Sequence, residues 1–294
     1  MIDQGIAYAL LAACFGGAYI FGIKRYLSGI PPAVIAVVTS LVGVVAYGPF
    51  AAWKTARSGG ALGQGLDTGA LLFAALALGL SAGGYLLFLT ALEAGDVSYV
   101  APLSKVVPAF VLPIEIVVLR TLLTPLQLLG VVGVTAGIYV ANYQDGRLRD
   151  PLLRLASSRA AQFALGSAAV YGAFDVAQRI VLQELGVEPH VWVVATRLGI
   201  VALLLPLALR TAIRREIGGA WQGFVLIGVL NAFLAHFGIL AFSLLPASVA
   251  SPIVNAQSIV AVALGGLLLG ERAVRYRALG AALAIAGIAF IAAG

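Results

Sequence analysis

The sequence predicts an all-α integral membrane protein with ten transmembrane helices, arranged as two inverted five-helix repeats. The first observation is the composition. Of 294 residues, 62% are hydrophobic and 10% are charged, whereas a soluble domain carries about 25% charged residues. The second is a series of ten apolar stretches, and the third is an internal repeat in which residues 91–143 match residues 241–293 at a constant offset of 150 positions. These observations exclude an ordinary soluble domain.

Each apolar stretch is long enough to cross the hydrocarbon core of a bilayer, which requires about 20 helical residues. Residues 144–159 form a polar linker loop between a first repeat, residues 1–143, and a second repeat, residues 160–294. Because each half has an odd number of helices, the second half enters the membrane in the opposite orientation. The ten stretches cover residues 3–23, 32–53, 69–92, 97–119, 124–143, 160–183, 190–210, 220–243, 247–269 and 273–293.

The internal repeat is carried by glycine and proline as well as by apolar residues. Because these two residue types punctuate helices, their agreement in register indicates a repeat of structure. The first helices of each half also correspond, at an offset of 157, where Thr39 and Pro49 match Thr196 and Pro206. The agreements at offset 150 are Ala91/Ala241, Ser98/Ser248, Pro102/Pro252, Leu119/Leu269, Leu129/Leu279, Gly130/Gly280, Ala136/Ala286, Gly137/Gly287 and Ile138/Ile288.

The charge pattern excludes several classes of function. The net charge is +6, but the basic residues form short clusters between apolar stretches, where the positive-inside rule explains them without a nucleic-acid partner. The single cysteine, Cys14, excludes an intrachain disulfide. The sequence has no H-E-x-x-H, no C-x-x-C and no phosphate-binding P-loop. We therefore expect no metal, no cofactor and no energy input from ATP.

Lysines and arginines near the helix ends predict the orientation. Twelve lie in the odd-numbered loops, and four, namely Lys54, Arg57, Arg120 and Arg179, lie on the other side. Because basic loops stay in the cytoplasm, the odd loops are expected inside and both termini outside. We expect a multi-pass protein of the cell (inner) membrane.

The end of the second repeat resembles a known family. Residues 267–272 read Leu-Leu-Leu-Gly-Glu-Arg and are followed by a glycine-spaced apolar run. This is similar to the EamA branch of the drug/metabolite transporter superfamily, whose repeat ends in a helix, a Leu-Leu-Gly-Glu-Arg-type turn and a final glycine-rich helix. The resemblance covers nearly the whole chain, although residues 119–121 of the first copy read Leu-Arg-Thr where the family would show Gly-Glu.

The resemblance implies a secondary-active transporter, an exporter or exchanger of a small organic metabolite such as an amino acid or a related anionic or amphiphilic compound. Such transporters bind substrate between the repeats and alternate access by rocking one half against the other. The implied partners are the lipid bilayer, the small-molecule substrate and a proton or a counter-substrate, with a monomer or a homodimer as the unit. Arg197 and Glu271 are implied to be structural, and family members are usually drawn with both termini inside.

Lys105 is the first candidate for a substrate contact. It lies near the middle of the fourth stretch, and a charge within hydrocarbon costs at least about 2.5 kcal/mol. Its repeat mate is Asn255, which shares a helical face with Ser251, as Lys105 does with Ser98. We expect these polar stripes to meet across a central cavity, where the ammonium binds an anionic group. The alternative is that a buried carboxylate neutralises Lys105.

The buried carboxylates are the next candidates. Asp175, which shares a face with Gln178 in the sixth stretch, could carry a proton or neutralise a cationic substrate group. The alternative is an ion pair with Arg179, one helical turn along. Glu115, near the end of the fourth stretch, is expected to snorkel or to pair, with Arg120 in reach.

Further polar and aromatic side chains complete the expected site. Asn231 and His236 lie in the eighth stretch, and Tyr19 lies on an aromatic face of the first. Aromatic walls with a few polar groups suit a small amphiphile. For Tyr8 and Tyr26, near the ends of the first stretch, an interfacial aromatic belt is the simpler account.

One catalytic pattern occurs in the chain. Residues 79–83 read Gly-Leu-Ser-Ala-Gly, a G-x-S-x-G string for which His236 could serve as the base. That motif works at a sharp strand-to-helix elbow, whereas here it lies within an apolar helical stretch. We therefore expect no enzyme, and we keep an intramembrane serine hydrolase and a non-transporting membrane scaffold as the alternatives.

Overall fold

The protein is described by a computed structural model over residues 2–57, 67–94, 104, 106–120, 122–141, 158–210, 213–269 and 274–294. Every regular element in these ranges is helical, so the all-α prediction is confirmed. The first half contains α1 (Ile2–Tyr26), α2 (Pro32–Arg57), α3 (Thr68–Ala94), α4 (Val107–Leu119) and α5 (Pro125–Ala141). The second contains α6 (Arg159–Arg179) with a following π-helical turn (Ile180–Glu184), α7 (Pro189–Ala208), α8 (Ile213–Leu244), α9a (Ala247–Asn255), α9b (Gln257–Leu269) and α10 (Val274–Ala293).

The helices and their outer surface indicate a multi-pass membrane protein. Large apolar side chains such as Val45 and Leu72 are exposed on the outside of the bundle, where a bilayer would cover them. Helices α4, α5 and α10 contain shorter apolar segments. Within the described ranges, five helical segments are long and apolar enough to cross a membrane: Gln4–Ile23, Pro32–Arg57, Thr68–Ala91, Pro189–Ala208 and Ile217–Leu244. Most of the polar linker predicted at residues 144–159 lies outside the described residues, so the division into domains stays a prediction.

Corresponding helices of the two halves begin in the same way. Pro32 opens α2 and Pro189 opens α7, at a position where the missing N–H of proline costs nothing. The turns before them contain Gly29 and Gly186, with φ of 81° and 65°. Glycine tolerates this left-handed conformation better than other residues. The offset of 157 seen in the sequence is therefore also an agreement in backbone conformation.

Two helices differ from the predicted continuous spans. The ninth breaks at Ala256, which has φ −62° and ψ −8°. Pro252 lacks a helical N–H, and the Asn255 side chain donates to the Ser251 carbonyl at 2.9 Å, so both disturb the helical ladder. The sixth helix changes to π-helical geometry after Arg179, which the apolar periodicity does not reveal.

The helix packing keeps its pattern when the two halves are exchanged. α1 packs along α8, and its counterpart α6 packs along α3. α4 packs against α6, and α9b packs against α1. α2 packs along its own counterpart α7, and α5 along α10.

The backbones of the two halves approach each other closely at glycines of α5 and α10. A Cβ added at Gly130 would lie 2.5 Å from the carbonyl oxygen of Gly287, and one added at Gly137 would lie 2.6 Å from that of Gly280. Gly280 is the repeat mate of Gly130, and Gly287 is the repeat mate of Gly137. The contact is therefore reciprocal, and the backbones touch because neither helix has a side chain at the crossing.

We expect Gly287→Ala to separate α5 from α10 and to lower stability by about 1–3 kcal/mol, because the added methyl group would overlap backbone atoms. Its Cβ would lie 2.6 Å from both the Gly130 oxygen and the Val134 nitrogen. Gly79→Ala in α3 is the control, because its Cβ would meet no atom within 4 Å. Thermal unfolding of both variants in the same detergent checks the difference. Equal melting temperatures would show that the glycine contact is not required.

Candidate functional site

Four of the residues singled out from the sequence lie together and form what we call the aspartate cluster: Asp175, Gln178, Ser251 and Asn255. The Ser251 hydroxyl donates to Asp175 Oδ2 at 2.6 Å, and Gln178 Nε2 donates to Asp175 Oδ1 at 3.3 Å. Asn255 Nδ2 lies 3.2 Å from the Ser251 hydroxyl. All four are buried. The cluster joins α6 to α9a within the second half.

Other candidates lie outside the described residues. These are Lys105, Ser98 and Glu271. The repeat mate of Lys105 is Asn255, and the repeat mate of Ser98 is Ser248, which is buried at the start of α9a. The contact expected between the polar stripe of Lys105 and Ser98 and that of Asn255 and Ser251 therefore stays a prediction.

Arg197 in α7 lies within a second group, which we call the arginine cluster: Arg197, Asn231, Tyr19, Tyr85 and Tyr171. Arg197 Nη1 donates to Asn231 Oδ1 at 3.1 Å. The Arg197 Nε atom is buried and has no hydrogen-bond partner among the described residues. Within the ranges that the structure describes, no carboxylate forms an ion pair with the Arg197 guanidinium.

Tyrosines from two helices lie near this guanidinium, and a third tyrosine lies near those two. The hydroxyls of Tyr19 and Tyr171 lie close enough to interact with its charge, and Tyr85 lies within electrostatic range of both. Tyr171 precedes Asp175 by about one turn of α6, so the two clusters are neighbours along this helix. The arginine cluster draws on α1 and α3 of the first half and on α6, α7 and α8 of the second.

Close packing of α3 and α6 holds Tyr171 in place. A Cβ at Gly84 would lie 3.1 Å from the Tyr171 ring. The Ser167 hydroxyl donates to the Gly84 carbonyl at 2.7 Å one turn before Tyr171. The sequence analysis did not single out Tyr85. Its only signal is a tyrosine within an apolar helix, where a hydroxyl needs a partner.

Glu115 is fully buried and joins the two halves, so the expectation that it snorkels is wrong. Its carboxylate accepts hydrogen bonds from the backbone N–H groups of Ala247 at 2.8 Å and Ser248 at 2.7 Å, at the start of α9a. Arg179 Nε lies 3.6 Å from Glu115 Oε1. The expected pairing is present, but Arg179 provides it. Arg120 is exposed at the end of α4 with φ 54°.

Arg179 holds the end of α6 in the same network. Its other described contacts are the exposed Glu184 at 3.8 Å and Gln183 Oε1 at 3.1 Å. Gln183 Nε2 in turn donates to the carbonyls of Phe242 at 2.7 Å and Leu245 at 2.9 Å at the end of α8. We call this network of Glu115, Arg179 and Gln183 the carboxylate lock. It connects the ends of α4, α6 and α8 and the start of α9a.

His236 lies in a third group, with Tyr47 and His190, neither of which the sequence analysis singled out. The Tyr47 hydroxyl oxygen lies 2.6 Å from His190 Nδ1 and 2.7 Å from His236 Nδ1. The one available sequence signal is that the chain has only two histidines.

No described region forms the elbow of a serine hydrolase. Ser81 lies within helix α3, and His236 is hydrogen-bonded to Tyr47. In the part of the chain that the structure describes, no three His, Cys, Asp or Glu side chains are arranged to hold a metal ion.

Comparisons with known proteins agree with the fold. The model of the family described as "EamA-like transporter family" matches residues 3–143 and 158–293. No curated protein matches the sequence. A solved structure described as "Crystal structure of protein" is similar over 98% of this chain and 94% of that one, with a TM-score of 0.74 and 15% sequence identity. At that identity the likeness concerns the fold alone.

Proposed function

The chain belongs to the EamA-like transporter family, and on this premise we propose that it is a secondary-active transporter of a small organic anion, such as an amino acid or a related amphiphilic acid. Members of this family are transporters and not enzymes, which argues against the hydrolase. The binding site that we propose is the arginine cluster together with the aspartate cluster.

The proposal rests on the incomplete hydrogen bonding of the buried Arg197 guanidinium. An unpaired guanidinium within a membrane protein is costly, and the cost falls when an anion arrives. Here one hydrogen bond goes to Asn231, while the buried Nε has no described partner. A carboxylate accepts from the fork of a guanidinium more strongly than a neutral group does. We assign Arg197 this binding role in addition to the structural role that the family resemblance implies.

The clusters also provide recognition for a second part of the substrate. Three tyrosine rings offer apolar surface with hydroxyl groups. Asp175, next to Tyr171, could face an ammonium group, so a zwitterionic amino acid would place its two charges on the two clusters. Lys105 remains a proposed second contact for an anion, because its repeat mate Asn255 belongs to the aspartate cluster.

We propose that ten spans form two inverted repeats, which rock against each other to alternate access. The reciprocal glycine contact between α5 and α10 supports this arrangement, since a two-fold axis through the crossing exchanges each glycine with its repeat mate. The arginine cluster takes side chains from both halves, so rocking would change its geometry. Rocking would also have to open the carboxylate lock.

Uptake into proteoliposomes tests the function. A thermal-shift screen of the purified protein against a metabolite library first selects anions, since a ligand at about 100 times its dissociation constant adds about 2.7 kcal/mol of stability. We expect saturable flux of the selected anions that exceeds that of protein-free vesicles. Stabilisation without flux would favour the scaffold, and conversion of the compound would favour the hydrolase.

We expect the odd-numbered loops in the cytoplasm and both termini outside, from the twelve basic residues against four. A reporter that is active only in the cytoplasm, fused after Gly294, should stay inactive. The same reporter fused in the loop after α5 should be active. The reverse result would overturn the charge argument and restore the orientation in which the family is usually drawn.

A further inference from the structure

The two histidines of the chain meet at one tyrosine hydroxyl, between α2 of the first half and α7 and α8 of the second. Tyr47 Oη lies 2.6 Å from His190 Nδ1 and 2.7 Å from His236 Nδ1. The two imidazole rings are stacked, with centroids 5.5 Å apart and an angle of 19°. Neither the transport proposal nor the two clusters described above uses these three side chains.

Counting hydrogens fixes how the group is bonded. A tyrosine hydroxyl has one hydrogen to donate and lone pairs to accept, and a neutral imidazole carries hydrogen on one nitrogen only. Because two Nδ1 atoms contact one hydroxyl, Tyr47 donates to one ring and accepts from the Nδ1–H of the other. The two neutral histidines must therefore be different tautomers.

Glu188 decides which ring has which tautomer. Its carboxylate caps α7 by accepting from Val191 N at 3.0 Å, and its Oε1 lies 3.6 Å from His190 Nε2. A carboxylate at this distance favours hydrogen on Nε2. His190 Nδ1 then accepts from Tyr47, and His236 donates its Nδ1–H to the Tyr47 oxygen.

Aromatic rings pack around the group, and two charged side chains act on it. Phe50 of α2 packs edge-on against both imidazoles, at 5.4 and 6.0 Å, and Phe237 of α8 contacts His236 at 4.9 Å. The charged groups that act on His190 are Glu188 and Lys54. From α1, Tyr8 packs against Phe237, with ring centroids 6.1 Å apart and an angle of 31° between the rings.

We propose that Tyr47, His190 and His236 form a one-proton binding site that shares its proton between the two rings. A proton added at His236 Nε2 makes that ring an imidazolium. Its Nδ1 hydrogen can then move to Tyr47 Oη while the Tyr47 hydrogen moves to His190 Nδ1. The positive charge now lies on His190 beside Glu188, and His236 is neutral again with hydrogen on Nε2. No other reactant is needed, and charge repulsion between the stacked rings opposes a second proton.

Because the site spans both halves, the proton would bind with different affinity before and after the halves rock, which is the requirement for coupling. This coupling role rests on the proposed transport function. The proton site itself does not, and its test needs no substrate.

The test uses the full-length protein in nanodiscs with ¹⁵N-labelled histidine, since only two imidazoles give signals. At neutral pH we expect His190 with hydrogen on Nε2 and His236 with hydrogen on Nδ1. On acidification both rings should shift over the same pH range, each by only part of the full protonation shift. His190→Gln and His236→Gln assign the signals.

Tyr47→Phe should abolish the shared transition and return His236 to the commoner tautomer with hydrogen on Nε2. Tyr8→Phe is the matched control, because the Tyr8 hydroxyl bonds to Gln4 at 2.9 Å, and it should change neither feature. Two rings that carry the same tautomer in the wild type, or titrate one after the other to completion, would overturn the proposal. If the histidines show the expected tautomers and shared transition but no substrate flux is measured, the proton site stands and the transport proposal fails. If flux is measured but the histidines do not behave as expected, transport stands and the proton site fails.

Discussion

Replacing Glu115 with alanine is expected to lower the free energy of unfolding by about 3–5 kcal/mol, because removal of one partner leaves a buried charge uncompensated. For a chain of this size that corresponds to a fall in Tm on the order of 10 °C. The substitution also removes the acceptor for two backbone N–H groups that start α9a. Among the described residues, the mostly buried Arg179 side chain would keep the distant Glu184 and the neutral Gln183 as its partners.

Glu184→Ala is the matched control for this loss. Glu184 is the other acid beside Arg179, but its side chain is 54% exposed against 0% for Glu115. Exposed ion pairs contribute about 0–1 kcal/mol, so the control should melt close to the wild type. The measurement is the thermal unfolding of the wild type, Glu115→Ala and Glu184→Ala in the same detergent. Similar melting temperatures for both variants would show that the carboxylate lock contributes no stability.

Arg197→Gln is expected to remove anion binding and to leave the empty protein at least as stable as the wild type. The shorter glutamine loses the hydrogen bond to Asn231, but a costly unpaired charge disappears with it. That cost is at least about 2.5 kcal/mol. Loss of a charge-assisted hydrogen bond weakens binding by about 1.5–3 kcal/mol, or roughly 10- to 100-fold.

Thermal stability with and without the anions selected by the screen measures both effects at once. Arg210→Gln removes one positive charge from the exposed end of the same helix and should respond to the anions as the wild type does. Arg197→Lys keeps the charge and should retain part of the response. An Arg197→Gln protein that melts several degrees lower yet is still stabilised by anions would mean that Arg197 is structural only, and our substrate proposal would fail.

The sequence predicted what depends on local periodicity. Where the structure describes the ten apolar stretches, they are largely helical, because an apolar run of this length satisfies its backbone within one helix. Asp175 and Gln178 lie one turn apart, as do Ser251 and Asn255, so the spacing alone predicts that each pair shares a helical face. Their meeting follows from the tendency of polar groups within a membrane to face the bundle interior.

The missed contacts depend on how distant segments approach each other. Glu115 was assigned to Arg120 because the two are close in sequence, whereas its partners lie 64 and 132 positions away, at Arg179 and Ala247. Tyr47 meets His190 across 143 positions. No periodicity within one helix contains such information. The break at Ala256 was missed for a different reason, because the bond from Asn255 to the Ser251 carbonyl depends on a side-chain rotamer.

The backbone crossing of α5 and α10 limits how far the sequences of the two repeats can differ at this point. Gly130 faces Gly287, and Gly137 faces Gly280. A side chain gained at one of these positions would therefore overlap the main chain of the other helix. Neither copy could drift alone, and Gly130, Gly137, Gly280 and Gly287 are all still glycine. Glu115, whose mate is Gly265, occupies a position without that mutual restraint. The two repeats can thus keep this crossing while each carries polar residues of its own.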